Sequence, residues 1–215
     1  MISKIDKLLI DLDDTVYPSS LNLWPLFTVR IQSFIREKLD VPAEHALPLQ
    51  ERLFREFGTT LRGLQHEYNI DMHEYLAWVH DVDLSERLFP DRALRKALMS
   101  LPQPKWIYTN ASVAHAENVL ACMDLRDLFE DPIIDVVATA PYCKPQKESY
   151  QIALSLIGNP DPERCLFMDD RIENLDTARS LGIHTLQVKP KPNGGHPAIS
   201  NLADLPTFLK QNGAF

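Results

Sequence analysis

The stretch KLLIDLDDT, residues 7–15, carries the first and strongest indication of fold. Its apolar part, residues 7–12, shows almost no polar alternation. Such a run suits a strand covered by helices on both faces rather than one with a wet side. The strand runs directly into acids, and the two-residue period of a strand puts Asp11 and Asp13 on one side at its carboxyl end. Four further apolar runs have the same character: residues 105–109 (KWIYT), 133–138 (IIDVVA), 164–168 (RCLFM) and 184–188 (HTLQV). Helical patterns lie between the later ones. Residues 112–123 form one, with Ser112 placed to cap its start. Residues 148–157 form another, ended by Gly158, and residues 173–181 a third, ended by Gly182. Strands alternating with helices define an α/β fold with a doubly wound parallel sheet, a Rossmann-like three-layer sandwich.

One interval breaks the rhythm. Between residues 19 and 88 there is no good strand, and the pattern reads as helices over 24–39, 43–57, 61–68 and 73–79. Pro42, Gly58 and Asp71 punctuate them. This connection is too long for an ordinary crossover. It is expected to be an inserted helical cap domain (19–88), with 1–18 and 89–215 forming the core. Such a cap belongs over the carboxyl ends of the strands, where open α/β sheets bind ligands.

Composition narrows the range of partners. The 215 residues carry a net charge of -8 and 45% apolar residues, ordinary globular usage with no basic face for a nucleic acid polymer. The N-terminal apolar run is too short for a signal peptide, and no stretch approaches the ~20 apolar residues that cross a bilayer. Cys122, Cys143 and Cys165 are odd in number and lack metal-type spacing, as expected for thiols in a reducing compartment. A soluble cytoplasmic protein without a membrane partner is expected, of undetermined oligomeric state.

The chemistry resides at the strand ends. Asp169 and Asp170 follow the run at 164–168 as Asp11 and Asp13 follow the first. Each cluster alone has a plainer explanation, an acidic turn or a helix cap. If the two strands are neighbours, however, the four carboxylates converge, and like charges about 4 Å apart repel by ~1–4 kcal/mol per pair. A cation is then required, and all-oxygen ligands fit a hard ion such as Mg²⁺. Thr109 and Asn110 end the second run, ahead of a helix N-terminus suited to phosphate oxygens. Lys144 follows the third run and supplies a fixed ammonium.

DLDDT, YTN, KP and MDD in this order resemble the four-motif signature of the haloacid dehalogenase-like hydrolase superfamily, over essentially the whole chain. The resemblance implies that Asp11 is the nucleophile. Asp13 would be the general acid and base and give a backbone carbonyl to Mg²⁺. Thr109 and Lys144 would bind phosphate. Asp169 and Asp170 would hold the metal, Asp170 directly and Asp169 through water. The segments DLDDTVYP (11–18), FGTTLRGL (57–64) and VHDVDL (79–84) further resemble the pyrimidine 5'-nucleotidase subgroup, which implies UMP or CMP as substrate. Another small phosphate ester and a non-catalytic phosphate-binding regulator are the alternatives. Gln146, where relatives more often have an acid after the Lys-Pro pair, departs from the pattern.

For substrate specificity the candidates are Tyr17, either stacking on a base or packing under the cap, and Thr59, Thr60 and Arg62, whose plainer readings are a capped turn for the threonines and a solvated side chain for Arg62. His45, His66, His73 and His115 read as surface positions on helices. Trp24, Phe27 and Phe34 read as packing residues.

Overall fold

The computed structural model describes residues 4–213 of the chain. The chain divides into two compact units, one of Asn22–Leu84 and one made by the stretches before and after it.

The first of these is helical. It contains α1 (Trp24–Leu39), α2 (Ala43–Phe57), α3 (Thr60–Tyr68) and α4 (Met72–Val79). Pro42 precedes α2, and Gly58 ends it at φ 80°, a left-handed conformation that costs glycine little. Thr59 caps α3 by accepting from Arg62 N at 3.1 Å, and Asp71 caps α4 by accepting from Glu74 N at 2.8 Å. Phe27 and Phe34 are buried as expected, but Trp24 is 51% exposed.

The other unit is built on a parallel sheet. Its elements are β1 (Lys7–Ile10), α5 (Arg92–Met99), β2 (Lys105–Ile107), α6 (Val113–Cys122), α7 (Lys147–Leu156), β3 (Cys165–Asp169), α8 (Ile172–Ser180), β4 (His184–Val188), β5 (Ala198–Ile199) and α9 (Leu205–Gln211). The strand order is β2-β1-β3-β4-β5. Leu9, Trp106, Tyr108, Cys165 and Phe167 pack on one face with Tyr150 of α7 and Leu175 of α8. The alternate residues Leu8, Ile10, Ile107, Leu166 and Met168 are fully buried too, so both faces are covered. This is the Rossmann-like α/β fold.

Two local expectations are corrected. Residues 133–138 do not form a strand: only Ile134 bridges to Tyr108, extending the sheet beyond β2. The chain turns at Asp135, whose Oδ1 accepts from Ala138 N at 2.8 Å while its carbonyl accepts from Thr139 N. β1 also stops at Ile10, because Thr15 N and Val16 N turn back onto Leu12 O. Asp13 is therefore placed by this turn, not by strand alternation. None of the three cysteines is in a disulfide, and among the described residues no helix is long and apolar enough to cross a membrane.

Gly63 sits where α3 presses on α2. A Cβ there would lie 2.7 Å from Leu53 Cβ and 3.0 Å from Phe57 Cδ2. Gly63→Ala gains about 1 kcal/mol of helix propensity but overpacks a buried contact at a cost of about 1–3 kcal/mol. The net expectation is destabilisation, read as a lower denaturant midpoint for the full chain; a raised midpoint would contradict the close approach of α2 and α3.

Candidate active site

The sheet register brings the acidic motifs together. β1 pairs with β3 so that Ile10 faces Met168, and Asp11 N continues the ladder onto Met168 O at 2.9 Å. Asp11 and Asp169 thus project from the same end of neighbouring strands. β2 lies on the other side of β1, with Ile107 facing Ile10, which brings Thr109 to the same edge. The hydroxyl oxygen of Thr109 accepts from Ala111 N at 3.0 Å, leaving its hydrogen to donate.

Lys144 is the centre of the cluster. Its Nζ donates to Asp11 Oδ1 at 2.6 Å, to Asp169 Oδ2 at 2.8 Å and to Tyr108 O at 2.9 Å. The rings of Tyr108 and Phe167 lie 5.1 and 5.2 Å from it. Asn110 fixes the backbone of Lys144 twice, accepting from its N and donating to its O, both at 2.9 Å. The side chain of Gln146 accepts from Cys143 N at 3.0 Å and closes the same loop. An acceptor is what this position uses, so the departure at Gln146 is accommodated. Burial disfavours the ammonium, but Asp11 and Asp169 outweigh it and raise the Lys144 pKa above its ordinary value.

Asp11 is held at both oxygens, Oδ1 by Lys144 and Oδ2 by Thr15 Oγ1 at 3.1 Å. Asp169 is fully buried. Asn174 Nδ2 donates to both of its oxygens, Lys144 to Oδ2, and Arg171 N to Oδ1. Asn174 was not among the sequence candidates; its position five residues after Asp169, on the inner side of α8, was the available signal.

The first acidic turn has partners that the sequence reading misplaced. His115 is buried, not a surface residue, and its Nε2 lies 2.8 Å from Asp13 Oδ1. Its place in the first turn after the Ser112 cap, where a helix of this kind starts at the sheet edge, was the only hint. His45, His66 and His73 are exposed as expected. Tyr17 is 1% exposed and donates to the same Oδ1 at 2.5 Å. Its ring is buried rather than open to a stacking partner, and its hydroxyl is engaged on Asp13.

A metal fits the donor set. Carboxylate oxygens of Asp11, Asp169 and Asp170 lie within 4.8 Å of one another; Lys144 meets Asp11 and Asp169, and Lys189 Nζ lies 4.0 Å from Asp170 Oδ2. Burial, with Asp169 and Asp14 nearby, pushes the Asp170 carboxyl up to about 7. Asp11 is also raised, by burial and by Asp169 and Asp170 against the opposing pull of Lys144. Groups that resist ionisation in this way call for a further cation. A cleft of about 100 Å³, lined in part by Asp14, Thr15, Asp170 and Lys189, opens beside them.

Thr59, Thr60 and Arg62 belong to the helical unit. Thr59 is occupied as the cap of α3, Thr60 is buried, and Arg62 Nη1 donates to Gln65 Oε1 at 2.7 Å. The capped-turn reading of this segment accounts for Thr59.

Known proteins agree with this architecture. Residues 5–182 match the haloacid dehalogenase-like hydrolase family, and the chain belongs to it. Phosphate metabolism protein 8 of Saccharomyces cerevisiae is 27% identical over 187 residues, covering 80% of this chain; the match spans only 58% of that relative's length. Enolase-phosphatase E1 of Schizosaccharomyces pombe is 26% identical, covering 91% of this chain and 92% of its own. The crystal structure of the HAD-hydrolase YfnB of Bacillus subtilis, bound to magnesium, superposes with a TM-score of 0.62 at 19% identity, covering 96% of this chain and 99% of the other.

The raised carboxyl of Asp170 gives metal binding a defined pH dependence. Below about 7 the metal-free protein holds a proton there that the ion must displace. Mg²⁺ affinity measured by calorimetry is therefore expected to fall by at least about tenfold per pH unit as pH drops below that value, one proton being displaced from Asp170. An affinity that stays flat across this range would show that metal binding displaces no proton from Asp170.

Proposed function

We propose that the chain is a Mg²⁺-dependent phosphomonoester hydrolase that works through an aspartyl-phosphate on Asp11. The observation that carries this reading is the fixed carboxylate of Asp11, held at one oxygen by Lys144 and at the other by Thr15. A carboxylate pinned at both oxygens is an oriented nucleophile. In the first step Asp11 attacks phosphorus, the bond to the leaving oxygen breaks, and Asp13 passes a proton to that oxygen. In the second, Asp13 as base takes a proton from water, which attacks the aspartyl-phosphate and returns Asp11. Thr109 through its hydroxyl and Asn110 through its backbone N–H bind the phosphate oxygens, and Lys144 offsets their charge. Asp170 would bind the metal directly. Asp169, whose oxygens already accept from Lys144, Asn174 and Arg171 N, would act through water. When bound, Mg²⁺ supplies charge neutralisation for the transferring group.

For the substrate, we infer a pyrimidine nucleoside 5'-monophosphate, UMP or CMP, with the helical unit as a cap that reads the leaving group. The support is the resemblance of residues 11–18, 57–64 and 79–84 to pyrimidine 5'-nucleotidases. A different small phosphate ester is the second reading, favoured by the similarity to an enolase-phosphatase over nearly the full chain.

Asp11→Asn is expected to keep the fold and lose turnover by roughly 10³-fold or more, because an amide is no nucleophile. A folded variant with wild-type phosphate release would remove the covalent mechanism. Comparing kcat/KM for UMP, CMP, AMP and GMP with that for other small phosphate esters separates the two substrate readings: the nucleotidase reading expects UMP and CMP to lead, and equal values for all four nucleotides would reject it while leaving the chemistry standing.

A further inference from the structure

Two side chains converge on one oxygen of Asp13. Tyr17 Oη donates to Oδ1 at 2.5 Å, and His115 Nε2 lies 2.8 Å from the same atom. Oδ1 accepts from both when His115 carries its ring hydrogen on Nε2, the tautomer this arrangement requires. The two donors come from different parts of the chain. Tyr17 is buried in the loop that follows β1. His115 is buried in the first turn of α6, where Ser112 caps its backbone N–H at 3.3 Å and Asp135 holds Val113 N at 3.0 Å.

We propose that His115 and Tyr17 are positioning residues that lock the rotamer of Asp13 and dedicate Oδ1 to accepting, so that the proton delivered to the leaving group is carried on Oδ2. The inference rests on reading Asp13 as the general acid. A carboxyl group has two soft torsions and two equivalent oxygens, and an acid that delivers a proton in line must present one of them in a fixed direction. Donors on Oδ1 make that oxygen a poor site for the proton and leave Oδ2 as the favoured one. Hydrogen bonds to an ionised oxygen are also the stronger kind, which suits them to holding a rotamer. Because α6 begins directly after Thr109 and Asn110, His115 ties the acid to the segment proposed to hold phosphate. As the bond from phosphorus to the leaving oxygen breaks and the bond from Asp11 forms, the leaving oxygen keeps the bonding pair and takes the proton from Oδ2.

A residue that merely fills space loses activity alike on all substrates. One that positions the acid matters only where the leaving group needs a proton. The test therefore compares kcat/KM for p-nitrophenyl phosphate, whose phenolate leaves unaided, with that for glycerol 2-phosphate, whose alkoxide does not. This parameter covers only steps up to departure of the leaving group, so the second-step role of Asp13 does not enter. With Mg²⁺ saturating, His115→Ala is expected to lose on the order of 10²-fold on the alkyl ester and less than about tenfold on the aryl ester. His115→Gln, which retains an N–H donor of similar reach, should recover much of the alkyl loss. Tyr17→Phe removes a single oxygen and should show the same selective loss; it serves as the readout if His115→Ala fails to fold. Equal losses on both esters in these variants, or none, would overturn the positioning role. Asp13→Asn is measured beside them. If it loses equally on both esters, the general-acid reading fails and takes the inference with it. If it is selective for the alkyl ester while the His115 and Tyr17 variants are not, the inference alone falls.

Discussion

A buried ammonium without partners is among the least tolerable groups in a protein interior, and Lys144 is almost wholly buried. It survives as a cation because Asp11 and Asp169 meet it at 2.6 and 2.8 Å. Those two carboxylates in turn avoid mutual repulsion through it. Removing one member of such an arrangement strands the others, at a cost of about 3–5 kcal/mol. The ion cluster and the sheet edge are therefore mutually dependent. The three strands must be in this register for the charges to meet, and the meeting charges penalise any other register. Beneath the ammonium, Tyr108, Tyr150 and Phe167 pack edge to face or tilted, with centroids 5.3 to 5.6 Å apart, and keep water from below.

The surroundings repeat this logic on a smaller scale. Asn174 reaches back from α8 to both oxygens of Asp169, and Asn110 grips the Lys144 backbone from across the edge. Asp135 braces the start of α6 through Val113 N. Each of these polar side chains satisfies a group that burial would otherwise leave costly. The result is a set of charged atoms held by second partners rather than by their own rotamer preferences, which is what a preorganised site requires.

Charge remains out of balance despite these contacts. Lys144 meets Asp11 and Asp169, Lys189 reaches Asp170 only at 4.0 Å, and the upward shift of Asp11 and Asp170 records the remaining deficit. Oxygen donors alone, at close range and partly buried, define a place for a hard divalent ion. Belonging to the haloacid dehalogenase-like hydrolase family is consistent with that chemistry. The helical unit, folded around Phe34, Tyr75 and Leu53, contributes none of these charged groups.

Much of this was legible in the sequence because it depends on local periodicity. Unbroken apolar runs ending in acids mark parallel strands, and α2 begins and ends where Pro42 and Gly58 dictate. Asp11 and Thr109 follow strands and Asp169 ends one, so their convergence at one edge followed once the strands were taken as neighbours, whereas Lys144 reaches that edge from the loop beyond residues 133–138. Other features depend on contacts distant in sequence. The apolar run at 133–138 has the composition of a strand, yet Asp135 turns it by capturing its own backbone. His115 looks like any polar residue on a helix until α6 is docked with its first turn against Asp13, 102 residues away. Tyr17 is an aromatic of open purpose until its hydroxyl finds the same oxygen. Sequence alone fixes which residue types stand at the ends of strands, because hydrophobic period and turn residues are local. Only tertiary structure decides which oxygen of which carboxylate each donor reaches, because that is set by strand register and helix docking.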